Sequence, residues 1–183
     1  MYTAHGKLLL SGEYFVLDGA KALALPTQLG QSLNITFTNS NTIEWRAFDH
    51  DQSEWLQVDL AIQNLTILNC NNEASAKRLQ QILAQAKKQN PTFLSDYKGL
   101  KVETTLEFPR KWGLGSSSTL IANLARWAKV DPYELLENTM GGSGYDLACA
   151  VNNFPIVYWR NEGKAQIKAS SFNPPFKYFL YFV

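Results

Sequence analysis

The sequence contains little that would mark a disulfide-stapled or metal-binding protein. Its 183 residues include only two cysteines, Cys70 and Cys149, which lie far apart and form no CxxC pair, and only two histidines. This composition argues against a disulfide scaffold and against a cysteine–histidine metal site, and it is typical of proteins from a reducing compartment. We therefore expect a cytoplasmic location.

The sequence also lacks an excess of charge of one sign and a long apolar run. Lys and Arg number 17, Asp and Glu number 16, and the formal net charge is +1. Proteins that bind nucleic acid or anionic membranes usually carry a basic cluster, and no such cluster is present. No apolar run reaches the roughly 18 residues of a membrane span, and the start "MYTAHGKLLLSGE" has no targeting pattern. We expect neither a nucleic-acid partner nor a membrane partner.

The composition is that of a globular chain with a substantial core. Hydrophobic residues make up 45% of the sequence and charged residues 18%. A chain of this length is long enough for one large domain or two small ones.

The first part of the chain has the alternation of β-strands. "SLNITFTNSNTIEWRAF" alternates apolar and polar residues on both sides of Asn39-Ser40-Asn41, which predicts two strands joined as a hairpin. "EWLQVDLAI" predicts a further strand, and "NLTILNC" is either a strand or a buried segment of another type. The β-rich part is expected to reach Cys70.

The period then changes to that of a helix. Between Glu73 and Asn90 the apolar residues recur every three to four positions, at Leu79, Ile82, Leu83 and Ala86, and Pro91 follows. After this amphipathic helix, "KVETTLEF" predicts a strand whose inward face carries Val102, Thr104, Leu106 and Phe108.

The stretch "WGLGSSSTL" lies between that strand and a second helix, which has an apolar stripe of Ile121, Leu124, Ala125 and Ala128. The first backbone N–H groups of a helix lack partners within it, so a glycine loop at this point suits a phosphate. Ser116, Ser117 and Ser118 offer an N-cap and spare hydroxyls, one of which could reach a magnesium ion. Ordinary turn and capping chemistry explains the same residues. The stretch is not a Walker loop, since GxxxxGK[ST] is absent.

Two further segments carry candidate chemistry. "MGGSGYDLACAVNNFP" places three glycines before Asp146, which falls in the first turn of a predicted helix and either caps it or accepts a proton from a hydroxyl. In "HGKLLLSGEYFVLDG", Lys7 enters an apolar strand, and its ammonium either extends to solvent or faces an anion.

Taken in order, these segments resemble a known family. "GKLLLSGEYFVLDG", "PRKWGLGSSST" and "GGSGYDLACA" are similar to motif one, motif two and the aspartate segment of the GHMP kinases, which are named for galactokinase, homoserine kinase, mevalonate kinase and phosphomevalonate kinase. "GSGYD" and "GEY" are closer to the mevalonate and phosphomevalonate branches. The resemblance covers nearly the whole chain.

The resemblance implies an α+β fold, like that of the second domain of a small-subunit ribosomal protein, with a β-rich sheet and helices packed on one side. It implies an N-terminal ATP-binding domain over residues 1–160. Residues 161–183 are expected to be the start of a truncated C-terminal domain or returning strands, because the end "PPFKYFLYFV" is apolar. Without the second domain, the acceptor pocket is expected to be incomplete and phosphoryl transfer weak or absent.

The resemblance also implies the roles of the site residues. The loop of Gly113, Leu114, Gly115, Ser116, Ser117 and Ser118 corresponds to the segment that holds the ATP phosphates, with Ser117 as the magnesium contact. Asp146 corresponds to the catalytic base or hydroxyl-orienting group, and Lys7 to the lysine beside it. A magnesium-binding glutamate corresponds to Glu137, with Glu134 as the alternative. Glu13 and Tyr14 correspond to positions near the acceptor, although a surface pair is equally consistent with them.

The implied activity is transfer of the γ-phosphoryl group of ATP, with Mg²⁺, to a hydroxyl or phosphate of a metabolite similar to mevalonate or phosphomevalonate. Alternatives are a catalytically silent nucleotide-binding homologue, an RNA-binding module of the same fold, and a decarboxylase like that acting on mevalonate diphosphate. The apolar end also allows two copies to pair as a homodimer. The sequence does not identify the acceptor.

Overall fold

The computed structural model describes residues 1–13, 15–176 and 179. Within this range the chain forms an eight-stranded sheet and four α-helices. The strands are β1 (Tyr2–Ser11), β2 (Ala22–Thr38), β3 (Thr42–Phe48), β4 (Glu54–Ala61), β5 (Ile67–Cys70), β6 (Gly99–Leu106), β7 (Ile156–Asn161) and β8 (Lys164–Ala169). The helices are α1 (Glu73–Gln89), α2 (Ser116–Ala128), α3 (Pro132–Glu137) and α4 (Tyr145–Val151). Short 3-10 turns cover Phe15–Asp18 and Arg110–Trp112.

Helix α1 forms where the apolar period predicts it. The side chain of Asn72 caps its start by accepting a hydrogen bond from the Ser75 N–H. Such a cap contributes about 1 kcal/mol to helix stability. Lys87 and Lys88 lie in the last turn, where positive charge is favoured. The predicted apolar stripe is buried, and the helix ends at Gln89, one residue before the predicted end.

The strands predicted on both sides of Asn39-Ser40-Asn41 are present as β2 and β3, but the prediction that they pair as a hairpin is wrong. Strand β6 lies between them, antiparallel to β2 and parallel to β3. Its residue Val102 stands opposite Ile35 on one side and Trp45 on the other. Alternation specifies which face of a strand is buried but not which strand lies beside it, so a distant segment can take the central position.

The sheet has the order β5-β4-β3-β6-β2-β7-β8, and β1 pairs with β2 outside this path. "NLTILNC" is therefore a strand, β5, at one edge. Strand β6 buries the inward residues that its alternation predicts: Val102, Thr104 and Leu106, followed by Phe108 just beyond its end.

All four helices contribute to one apolar core with the sheet, which confirms the α+β fold with helices packed on one side. Representative core residues are Trp45 from β3, Leu83 from α1, Leu124 from α2 and Leu147 from α4, none more than 1% exposed. Each such side chain contributes about 1.5–3 kcal/mol when fully buried. A second cluster covers another side of α4, so this short helix is held by apolar contacts around Tyr145 and Cys149 as well.

Helix α2 is also tied to the sheet by buried polar groups. The Thr119 hydroxyl donates to Gln31 Oε1 at 2.8 Å, and Asn123 Nδ2 donates to the backbone oxygen of Gln31 at 2.9 Å. All three residues are at most 5% exposed. Because an unpaired polar group at this depth is costly, these bonds specify how the start of α2 sits on β2.

The last described strands form a hairpin, in which β8 pairs antiparallel with β7. Residues 177, 178 and 180–183, which belong to the apolar end "PPFKYFLYFV", lie outside the described residues, so the expectation for 161–183 stays a prediction. No helix in the described part of the chain combines the length and apolar character that crossing a bilayer requires.

Candidate functional site

The glycine-serine loop connects the 3-10 turn Arg110–Trp112 to helix α2. Gly113 and Gly115 both adopt left-handed backbone conformations, with φ of 70° and 84°. The helix begins at Ser116, and its N-cap is Gly115, which offers no side-chain hydrogen bond. The expectation of a serine N-cap is therefore wrong, because the turn places the serines inside the first helical turn. The positive end of α2 has no side-chain cap, so its first N–H groups are not occupied by a capping side chain and suit an anion.

The three serines face different surroundings. Ser117 is exposed, Ser116 is partly buried, and Ser118 is buried. Ser116 and Ser117 line the cavity beside the loop and the buried Ser118 does not, so two of the three hydroxyls are placed to meet a ligand there. The side chain of Leu114 does not face a ligand; it is buried against Leu106 and Phe108 and anchors the loop.

Strand β1 holds the loop from the other side. The Lys7 N–H donates to the backbone oxygen of Leu114 at 2.9 Å. The aliphatic stem of Lys7 then passes beside Gly115, where an added β-carbon would lie 3.2 Å from Lys7 Cγ. Gly115 is thus required twice, by its backbone conformation and by the space that the lysine occupies.

The Lys7 ammonium meets two groups from the start of α4. Its Nζ lies 3.1 Å from Asp146 Oδ1 and donates to the Tyr145 hydroxyl at 3.0 Å. Asp146 Oδ1 is buried, and no described group makes a regular hydrogen bond to it, so the ammonium is its charged partner. The Asp146 side chain as a whole is 34% exposed, so part of it is open to solvent.

The ammonium remains charged at neutral pH. Partial burial of Lys7 opposes the charged form, but the hydrogen bond to Tyr145 and the carboxylate of Asp146 outweigh that effect, so the Lys7 pKa is raised above its ordinary value. The pKa of the Tyr145 phenol is also raised, chiefly by burial. Both groups therefore hold their protons, and Asp146 faces a full positive charge.

Tyr145 is the residue of this site that the sequence did not identify. It stands directly before Asp146 in "GSGYD", and an aromatic residue at a helix start is ordinarily assigned to the core. The residue is indeed only 9% exposed; its hydroxyl accepts a hydrogen bond from Lys7 Nζ, which also lies 5.0 Å from the ring centre. The signal available in the sequence was the position of this tyrosine: its apolar ring can be buried while its polar hydroxyl faces a site, and it stands next to the candidate carboxylate Asp146.

A cavity of about 430 Å³ begins at the loop and runs between the sheet and helices α1 and α2. It is mainly apolar, with Trp45 and Trp55 in its wall, and Arg78 and Arg110 are the charged residues that line it. No carboxylate among the described residues contributes to the lining. The Arg110 guanidinium carbon lies 4.2 Å from the centre of the Trp55 ring, and Arg110 Nε lies 3.1 Å from Asp49 Oδ2.

Glu137 lies apart from the loop. It is exposed at the end of α3 and lines a second cavity, of about 530 Å³, together with the glycines before α4, whereas Ser117 lines the first. The structure therefore does not bring the two candidate magnesium contacts into one cavity. Among the described residues, no group of three or more His, Cys, Asp or Glu side chains could hold a metal ion.

One of the two predicted acceptor contacts, Glu13, lies at the turn after β1. Glu13 is exposed there, and its negative charge contributes to the raised pKa of Tyr145, which is consistent with a place near the site. Tyr14 lies outside the described residues.

Comparison with solved structures identifies the fold. The chain is similar to a Methanococcus jannaschii mevalonate kinase (TM-score 0.63, 16% identity, 98% of this chain and 57% of that chain). It is similar to a Streptococcus pneumoniae phosphomevalonate kinase solved with phosphomevalonate and AMPPNP (TM-score 0.59, 17% identity, 86% and 49%). It is also similar to a D-glycero-D-manno-heptose 1-phosphate kinase from Bacteroides thetaiotaomicron (TM-score 0.64, 20% identity, 91% and 58%).

At these identities the likeness shows the fold, and it confirms at that level the resemblance of the sequence to the GHMP kinases. The chain spans about half the length of the kinases it matches. No family model and no curated protein sequence matches the chain.

Proposed function

We propose that the chain is the ATP-binding part of a small-molecule kinase, which transfers the γ-phosphoryl group of ATP to a hydroxyl or phosphate of a metabolite similar to mevalonate or phosphomevalonate. One observation carries the proposal: Lys7, Gly115 and Asp146, from three distant segments, come together at the uncapped start of α2. The fold likeness to kinases of such metabolites supports it.

The loop is the proposed phosphate site. The space beside Gly113 is empty, because no atom lies within 4 Å of the place where a β-carbon would stand. A phosphate can therefore approach the backbone there. The first N–H groups of α2 and the hydroxyls of Ser116 and Ser117 supply donors, and the helix dipole favours negative charge.

A magnesium ion fits the loop better than it fits Glu137. Magnesium in kinases is held by few protein ligands together with the phosphates, and the exposed Ser117 hydroxyl is such a ligand. Bound there, the ion would neutralise phosphate charge. Glu137 lines the other cavity, so its proposed part as a magnesium ligand is less well supported than that of Ser117.

The cavity next to the loop is the proposed base site. It starts at Ser116 and Ser117, has two indole rings in its wall and contains two arginines without a lining carboxylate. An apolar, aromatic pocket suits a planar base, and the arginines suit a ligand that carries negative charge.

Asp146 is the proposed proton acceptor. For a hydroxyl acceptor, the O–H proton moves to Asp146 Oδ2 while a bond forms between the acceptor oxygen and the γ-phosphorus and the bond to the leaving ADP oxygen breaks. A phosphate acceptor attacks without giving up a proton. The Lys7 ammonium balances the carboxylate and stabilises negative charge at the reacting end.

The acceptor pocket is the least complete part. Glu13 and Tyr14 are proposed to contact the acceptor, and further contacts are proposed to come from a second domain, since the chain matches about half of each kinase.

We propose residues 1–160 as the ATP-binding domain and 161–183 as the beginning of the next one or as returning strands. The protein is proposed to be cytoplasmic, and pairing of two copies through the apolar end remains a proposal.

Isothermal titration with AMPPNP and magnesium tests the proposal. We expect saturable binding by the wild-type chain and its loss in Gly115→Val, and then ADP release when ATP is offered with mevalonate, phosphomevalonate or a sugar phosphate. Binding without transfer to any acceptor, also after addition of the remaining domain, would indicate a silent homologue. Absence of binding by a folded chain that instead binds RNA oligonucleotides would overturn the proposal.

A further inference from the structure

We propose that Tyr145 is a positioning residue, whose hydroxyl holds the Lys7 ammonium against Asp146 at the reacting end of the site. This inference rests on the proposed function for its kinetic consequence, but its structural part can be tested without activity.

The geometry gives the ammonium two fixed partners. An ammonium carries three N–H donors, and those of Lys7 have Tyr145 Oη at 3.0 Å and Asp146 Oδ1 at 3.1 Å within reach. The hydrogen bond to Tyr145 gives the ammonium a directional contact, and Asp146 attracts it as a charge. With the lysine stem confined beside Gly115, these two groups hold the ammonium at the start of α4.

Tyr145 is the rigid member of the group. The residue is 9% exposed, and it packs in the cluster with Ala24, Ala148 and Tyr158. A buried ring has few accessible rotamers, whereas lysine has four rotatable bonds and loses substantial entropy when it is fixed. The position of the phenol oxygen is therefore decided by the core, and the flexible lysine is positioned by it.

The ion pair alone would hold the lysine poorly. The side chains of Lys7 and Asp146 are 16% and 34% exposed, and partly exposed pairs of this kind are weak because water screens them. A charge-assisted hydrogen bond to a fixed partner adds direction that a point charge lacks.

Within the described part of the chain, few charged or titratable groups act on the Lys7 ammonium. From α4 they are Tyr145, Asp146 and the thiol of Cys149, and Glu13 acts on Tyr145 from the turn after β1. Removal of the Tyr145 hydroxyl takes away a hydrogen bond that favours the charged lysine, so the Lys7 pKa should fall.

Tyr145→Phe is the variant that tests this inference, and Tyr158→Phe is its matched control. Tyr158 lies in the same cluster, and its hydroxyl donates to the backbone oxygen of Ser143 and does not contact Lys7. Each variant loses one phenol hydroxyl from the same apolar cluster, so both show how far that loss alone changes stability and activity. Only Tyr145→Phe also removes the hydrogen bond to Lys7.

Two measurements on each variant give the answer: the Lys7 pKa, from NMR titration of isotope-labelled lysine assigned with Lys7→Arg, and steady-state kinetics with ATP and the acceptor. In Tyr145→Phe we expect a lower Lys7 pKa and a fall in kcat of about tenfold, from the loss of one charge-assisted hydrogen bond, with KM for ATP unchanged. The alkaline decline of kcat should move to lower pH. In Tyr158→Phe the Lys7 pKa should equal that of the wild type.

An unchanged Lys7 pKa in Tyr145→Phe, or equal changes in both variants, would overturn the inference. If no phosphoryl group is transferred to mevalonate, phosphomevalonate or a sugar phosphate, also after addition of the remaining domain, the proposed transfer fails, while the NMR comparison of the two variants still decides whether Tyr145 positions the lysine.

Discussion

The stem of Lys7 lies against the backbone of Gly115, so closely that a β-carbon there would stand 3.2 Å from Lys7 Cγ. The same lysine reaches Asp146 with its ammonium. One side chain thus connects the strand, the loop and the helix on which the proposed phosphoryl transfer depends.

Gly115→Ala should weaken nucleotide binding more than Gly113→Ala does. Both positions have positive φ, so each substitution should lower the free energy of unfolding by about 1–2 kcal/mol. Only at Gly115 does the new methyl group press on Lys7, because nothing lies within 4 Å of an added β-carbon on Gly113. Urea unfolding and AMPPNP titration measure the two effects. Equal loss of affinity in both variants would contradict the role of the Lys7 contact.

Asp146→Asn should abolish transfer while leaving nucleotide binding nearly intact. Asparagine keeps the shape but cannot accept the hydroxyl proton, and a general base contributes about 10²–10⁴ in rate. We expect kcat to fall by at least about a hundredfold and the AMPPNP Kd to change by less than about threefold. Asp96→Asn, an exposed site, is the control for loss of one negative charge. Full activity in Asp146→Asn would remove Asp146 from the proposed mechanism.

Cys149 should be unreactive in the folded chain and should make stability depend on alkaline pH. Burial raises its pKa from 9.0 to about 12, so the native thiol keeps its proton where the unfolded one loses it. The stability from this group is complete below pH 9 and is lost as the pH rises from 9 to about 12.

Urea unfolding at several pH values measures this loss, and Cys149→Ala should show a shallower decline between pH 9 and 12 than the wild type. A thiol reagent should modify the partly exposed Cys70 first, and Cys149 only on unfolding. Rapid modification of Cys149 in a folded Cys70→Ser variant would show that α4 opens readily.

Trp55→Leu should lower affinity for ATP without changing affinity for inorganic tripolyphosphate. Trp55 lines the cavity next to the loop, and stacking of a base on an aromatic ring is worth about 1–3 kcal/mol, so a loss of about tenfold is expected. Trp159→Leu is the control, because its ring lies beside Lys21 and outside that cavity. Parallel loss of affinity for both ligands would place the base elsewhere.

Much of the local structure could be predicted from the sequence, because it depends on neighbours in the chain. The period of Leu79, Ile82 and Leu83 defines α1, and the alternation around Val102 defines β6. The segments "WGLGSSSTL" and "GSGYD" likewise mark where two helices begin, since turn glycines and first-turn residues act over a few positions.

The arrangement of these pieces could not be predicted in the same way. The placement of β6 between β2 and β3, the separation of Glu137 from Ser117 and the contact of Lys7 with Tyr145, 138 positions away, all depend on packing between distant segments. By itself, the sequence determined several of the elements, the two glycine turns and the resemblance that points to a kinase. Only the tertiary structure decided which strand is central, which hydroxyls face the cavity and which phenol holds the lysine, because the burial that selects these contacts exists only when the sheet and helices come together.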